Sequence, residues 1–122
     1  DPSNGAALGI LAGGYAILGE KDRAREWIER AMLIDPDNLN MRYNFACVLA
    51  SYVGDKEEAL RLLDGTLALA GPTPLKIAET DPDLDCLRDD PRFQKFMARE
   101  RKRHGLDEAA VESPAPAAPA AS

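Results

Sequence analysis

Two short charged turns constrain this chain more than any other feature in it. GEKDRA runs from Gly19 to Ala24, and GDKEEA runs from Gly54 to Ala59, 35 residues later. The residues around the two turns repeat in step. At a shift of 35, Leu8 falls on Tyr43, Leu11 on Ala46, Ala12 on Cys47 and Gly19 on Gly54. Ala24 then meets Ala59, Ile28 meets Leu63, and Pro36 falls on Gly71. Apolar lands on apolar, small on small and breaker on breaker, so one unit is written twice.

Each unit reads as two helices joined by an elbow. Leu8, Leu11, Ala12 and Tyr15 recur at i, i+3, i+4, i+7 before the first elbow. After it, Ala24, Ile28, Ala31 and Met32 follow helical spacing, with Trp27 beside them and read as core. Gly19 closes the first helix in the left-handed conformation that a Cβ disfavours. Pro36 ends the second, because the residue before proline avoids α geometry. Small residues at Ala12, Ala24, Ala31, Cys47 and Ala59 let helices approach closely, and larger apolar side chains fill the space around them.

A helical hairpin of this kind buries its apolar face only against a neighbour, so the remaining structured segment is expected to act as a cap. Leu75, Ile77 and Ala78 mark a short helix. Asp81-Pro82 and Asp90-Pro91 each read as an N-cap followed by proline at the first helical position. The last helix, over 91–104, carries Phe93, Phe96 and Met97 on one face. Arg99, Arg101, Lys102 and Arg103 lie near its C-terminus, where cations complement the helix dipole, and Gly105 stops it. The expected architecture is all-α: one domain over 1–104, with hairpins at about 5–38 and 40–73 and a cap at about 74–104. Residues 105–122 end in SPAPAAPAAS and are read as a disordered Pro/Ala-rich tail.

These residues resemble the tetratricopeptide repeat (TPR) family, whose unit is about 34 residues. The first copy carries the family pattern at Leu8, Leu11, Ala12, Tyr15, Gly19, Ala24, Ile28, Ala31 and Pro36. The second carries it at Tyr43, Ala46, Cys47, Gly54, Ala59 and Leu63, then departs at Thr66 and Gly71, and one residue is extra around Leu39. The resemblance covers roughly 5–71 and implies a short right-handed solenoid of stacked hairpins. A narrower resemblance rests on IDPDNLNMRYNFAC at 34–47 and TDPDLDCLRDDPRF at 80–93. These segments are similar to the C-terminal repeat region of bacterial class III adenylate/guanylate cyclases and to the ends of repeat regions in other bacterial signalling proteins. That resemblance implies a parent with a separate cyclase domain. No catalytic residue carries over to this chain.

Composition narrows the alternatives. The net charge of −6 owes three of its negative charges to Asp107, Glu108 and Glu112, so the domain itself is mildly acidic and poorly suited to tracking phosphates. No apolar run approaches the length of a membrane span. Cys47 and Cys86 form no CxxC or clustered metal motif, which fits a reducing cytoplasm. The chain starts at Asp1 rather than Met and is read as a piece of a longer protein. No nucleophile–base pair, phosphate-cradling loop or metal triad stands in the sequence, so neither catalysis nor a cofactor or metal is expected. The aspartates at 81, 83, 85, 89 and 90 lack the central Gly and closing Glu of a calcium loop and read as helix caps. Cys47 reads as a buried thiol and His104 as a complement to the helix dipole.

The groove of such a solenoid should be lined by Gly9, Gly13, Ala16 and Ile17 from the first copy and Met41, Asn44, Val48, Ser51 and Tyr52 from the second. It could take an extended peptide or a partner helix, or be filled by the cap or another domain of the parent. The Gly13-Gly14 pair suggests close packing or a groove floor. A protein-interaction module is the leading expectation. Its alternative is homodimerisation or intramolecular docking through edges near Leu8, Leu11 and Phe93. A third reading is an acidic or nucleic-acid ligand on the basic run 99–104, against a solvated helix end.

Overall fold

The structure, a computed structural model, describes residues 5–106. Its elements in chain order are α1 (Gly5–Ile17), α2 (Lys21–Ile34), α3 (Leu39–Val48), a π-helical turn (Leu49–Val53), α4 (Lys56–Leu69), α5 (Pro72–Thr80), a 3-10 helix (Pro82–Leu87) and α6 (Pro91–Arg103). Among the described residues there is no strand, and the chain is all-α. No described helix is long and apolar enough to cross a membrane. The tail segment from Asp107 onward lies outside the described residues, whereas Leu106 packs against the core.

Both elbows form as the glycines dictate, with Gly19 at φ 83° and Gly54 at φ 78°. They close differently. At the first, the Glu20 N–H donates to the Tyr15 carbonyl at 2.8 Å and the Gly19 N–H to the Ala16 carbonyl at 3.0 Å, which satisfies the last carbonyls of α1. At the second, the Asp55 N–H reaches back six residues to the Leu49 carbonyl at 2.9 Å, across the widened π turn. Nothing in the apolar periodicity announces that turn.

Caps start the later helices. Asn38 accepts the Met41 N–H at 3.0 Å and Asp55 accepts the Glu58 N–H at 3.2 Å. Asp81 accepts the Asp83 N–H at 3.0 Å and Asp90 accepts the Arg92 N–H at 2.8 Å, each with proline next in the chain. Asp90 is held far below the usual carboxylate range, to about 2, chiefly by its hydrogen bonds from the Arg92 side chain and backbone.

The helices pack as two hairpins and a cap. α1 lies on α2, α3 and its π turn lie on α4, and α1 lies on α3. Ala12, Ala24, Ala31, Ala46 and Ala59 are all buried at the helix crossings. Thr66, the counterpart of Ala31 at the shift of 35, is also buried, and its hydroxyl donates to the Leu62 carbonyl at 2.7 Å. The cap closes the far side of the second hairpin: the 3-10 helix packs on the π turn and α3, and α6 packs on α4 and α5. Phe93, Phe96 and Met97 from α6 join Leu84 and Leu87 in the common core.

α1 is rotated relative to expectation. Its buried stripe is Leu8, Ala12 and Ala16, while Leu11 faces solvent. The i, i+4, i+8 row follows the crossing with α2, and two alanines on it admit the close approach that Leu11 would obstruct. Of the edge expected near Leu8, Leu11 and Phe93, Leu8 and Phe93 are core residues and only Leu11 is exposed. Gly13 and Gly14 do not mark close packing either: a Cβ built at each meets nothing within 4 Å.

Candidate protein-binding groove

A groove of about 480 Å³ runs between α1 and the start of α3. Gly9 and Ile10 form one wall, Asn40, Asn44 and Val48 the other, and Met41 and Phe45 the buried floor, with Asn38 at the end. Gly9 sets its depth, because a Cβ there would lie 3.5 Å from the Phe45 ring. Asn38 is committed to local structure: its amide N–H donates to Asp35 at 3.0 Å while its oxygen caps α3. Asn40 and Asn44 are exposed, and each side chain carries both a donor and an acceptor. The groove thus places amides above an apolar floor.

Of the nine residues expected to line such a groove, Gly9, Met41, Asn44 and Val48 come together here. Ala16 is buried in the hairpin core instead, on the stripe that faces α2. Gly13, Ile17 and Tyr52 lie outside the groove lining, with Ile17 and Tyr52 exposed. The Ser51 hydroxyl donates to the Asp83 carbonyl at 2.7 Å and so ties the π turn to the cap. The sequence pattern does not single out Ile10 or Asn40. Asn40 sits one helical turn before Asn44, a spacing that could have marked it.

Beside the groove, a polar latch joins the second hairpin to the cap. The Tyr43 hydroxyl donates to the Asp81 carboxylate at 2.8 Å, and the Cys47 thiol reaches the same carboxylate at 3.7 Å. Arg88 donates to the Asp81 carbonyl at 2.7 Å. Burial first, then the hydrogen bond and charge of Asp81, pushes Tyr43 well above the usual phenol range. Burial, reinforced by the charges of Asp81 and Asp83, pushes the Cys47 thiol up to about 12. Such a thiol stays protonated at neutral pH and is a poor nucleophile. Cys47, Asp81 and Asp83 bring three ligand atoms within 4.8 Å of one another. The Asp81 carboxylate already accepts from Tyr43, Cys47 and the Asp83 backbone, so the cluster works as a fastening between elements.

A larger cleft of about 650 Å³ separates α4 from α6, lined by Glu57, Leu60, Arg61, Asp64, Arg92, Lys95, Phe96 and Arg99. Its cations are mostly engaged. Arg92 meets Glu57 at 2.7 Å across the cleft, Arg99 meets Asp64 at 2.6 Å, and Arg61 pairs with Glu58. The same holds for the basic run of α6. Arg103 meets Glu100 at 2.6 Å and donates to the Leu67 and Ala70 carbonyls at 3.1 Å, and Arg101 pairs with Glu79. Glu100 is buried beneath these arginines. Burial opposes its charge, but Arg103 and Arg99 outweigh that and hold its carboxyl below the usual range. The run is thus spent largely on fastening α6 to α4 and α5. His104 caps α6, with its Nε2 buried 3.8 Å from Glu100.

No protein-family model, curated protein or solved structure matches the chain.

Proposed function

We propose that this chain is a non-catalytic protein-interaction module of the tetratricopeptide-repeat type, binding a peptide or partner helix in the α1/α3 groove. One observation carries the reading. Two hairpins in a 35-residue register lie side by side and leave between their first helices a groove with an apolar floor and exposed amides. Asparagine side chains at this spacing satisfy the alternating donors and acceptors of an extended backbone, while Met41, Phe45 and Val48 offer an apolar seat for its side chains. The motifs at 34–47 and 80–93 support placing it in a bacterial signalling protein, such as a class III nucleotide cyclase, as a cytoplasmic scaffolding region organised as a short right-handed solenoid.

The test is selection of peptides from a displayed library on the full chain, followed by affinity measurements on variants. Asn44→Ala should weaken the selected peptides about 3- to 10-fold, the effect of losing one or two hydrogen bonds. Lys95→Ala, on the opposite cleft, should leave them unchanged. Peptides indifferent to Asn44→Ala and to Asn40→Ala would place binding elsewhere and overturn the reading. The ion pairing of Arg99, Arg101 and Arg103 disfavours an acidic or nucleic-acid ligand on that run.

A further inference from the structure

The chain from Gly5 to Gly19 contains no charged residue. A helix that is apolar all round is normally a buried one. α1 nevertheless buries only one side, and its outer side shows Ile10, Leu11, Ile17 and Leu18 to solvent at 79%, 43%, 66% and 74% exposure. Their spacing is symmetric. All four stand at three or four residues before or after Gly14, which is itself exposed and has open space where a Cβ would be. Leu18 belongs to the same turn, since its N–H donates to the Gly14 carbonyl at 3.1 Å.

From this arrangement we infer that the outer face of α1 is a homodimer interface, in which α1 crosses its mate antiparallel about a two-fold axis through Gly14. A two-fold contact requires that residue i meet j while j meets i, so the stripe must read the same in both directions. This one does. Ile10 lies beside Leu18 of the second copy and Leu11 beside its Ile17, over about 12 Å of helix. The two Gly14 backbones meet at the crossing, where a missing Cβ permits close approach. Charge favours the same mate, because a symmetric contact sets each charge near its own copy, and this helix has none.

The second hairpin supplies the precedent. At the shift of 35, Ile10, Gly14 and Leu18 correspond to Phe45, Leu49 and Val53, all buried. Phe45 lies against α1, its ring 3.5 Å from a Cβ built at Gly9, and the π turn that carries Leu49 and Val53 packs on both α1 and α2. Among the described residues, Ile10, Gly14 and Leu18 on the same flank of the first hairpin stay exposed. Among the described residues the cap covers the far side of the second hairpin, and a two-fold contact on α1 closes on itself to give a dimer and not a fibre.

Sedimentation equilibrium on residues 1–122, from about 1 μM to 1 mM, brackets weak to moderate dimers. The wild-type chain is expected to double its mass within that range. Leu18→Glu, which buries two carboxylates per dimer, should weaken association about 100-fold. Gly14→Leu should also give monomers, with a melting temperature unchanged or higher, because the side chain enters open space in the monomer. That combination separates an interface from a folding defect. A wild-type chain monomeric throughout would overturn the inference, and so would a dimer that tolerates both variants. Ile10 belongs to both the interface and the α1/α3 groove, whereas Gly14 and Leu18 do not line the groove, so peptide binding measured on the monomeric chain tests the groove separately.

Discussion

The two hairpins share a pattern of apolar and small residues and are unequal in circumstance. Ile10 and Phe45 occupy the same place in the unit, yet one is 79% exposed and the other 2%. Leu18 and Val53 differ the same way, at 74% and 3%. Among the described residues, the second hairpin lies between the first hairpin and the cap, whereas the first has a neighbour on one side only. A repeat therefore specifies which side chains can be buried. Its position in the stack specifies which are.

The largest test of that difference is a pair of truncations in urea unfolding, at concentrations where the chain is monomeric. Phe45→Ala should cost about 4 kcal/mol, as loss of a large buried side chain does, and Ile10→Ala no more than about 0.5 kcal/mol. Similar costs at the two positions would mean that the hairpins are not distinguished by burial.

Next comes the cap that encloses the second hairpin. Removing Glu100 takes charge-assisted hydrogen bonds from Arg99 and Arg103, which are half exposed and keep other partners, so Glu100→Ala should cost about 1–2 kcal/mol. Because its folded pKa lies below the ordinary 4.5, Glu100 contributes its full stabilisation above that value. The contribution is lost as pH falls through the folded pKa. The gap in urea midpoint between wild type and Glu100→Gln should thus be widest near neutral pH and close below pH 4.5. A gap that persists in acid would assign the effect to packing instead of charge.

The elbows should behave alike, whatever their different closures. Gly19→Ala and Gly54→Ala each force a Cβ into a left-handed conformation and should each cost about 1 kcal/mol. A clearly larger cost at Gly54 would show that the π turn adds strain to the second elbow. The smallest effect has the opposite sign. Gly14→Ala should raise stability by about 0.5 kcal/mol, since the helix gains from losing a glycine and the added methyl meets nothing.

Much of this architecture is legible before any coordinates. The apolar spacing, the small residues at the crossings and the positive-φ glycines place the four hairpin helices, because each is a local requirement of helix geometry or close approach. Asp81-Pro82 and Asp90-Pro91 announce their helix starts for the same reason. The candidate groove is only partly legible. Gly9, Met41, Asn44 and Val48 follow from helical phase, but Ala16 turns inward and Ser51 is taken by Asp83. Periodicity gives a stripe without saying which of two adjacent rows faces the partner helix, and on α1 the choice passes from Leu11 to Ala16.

The chain's residues by themselves determine the repeat, the elbows, the caps and the all-α class, since these depend on interactions within a few turns of helix. Only the tertiary structure decides the rest. It shows that Tyr43 and Cys47 fasten to Asp81 across 38 and 34 residues. It also shows that Arg99, Arg101 and Arg103 of α6 bond acids and carbonyls from α4 to α5, and that among the described residues one apolar face of α1 stays exposed. Each of these is settled by long-range packing, where equivalent residues of a repeat cease to be equivalent because one has a neighbour and the other does not.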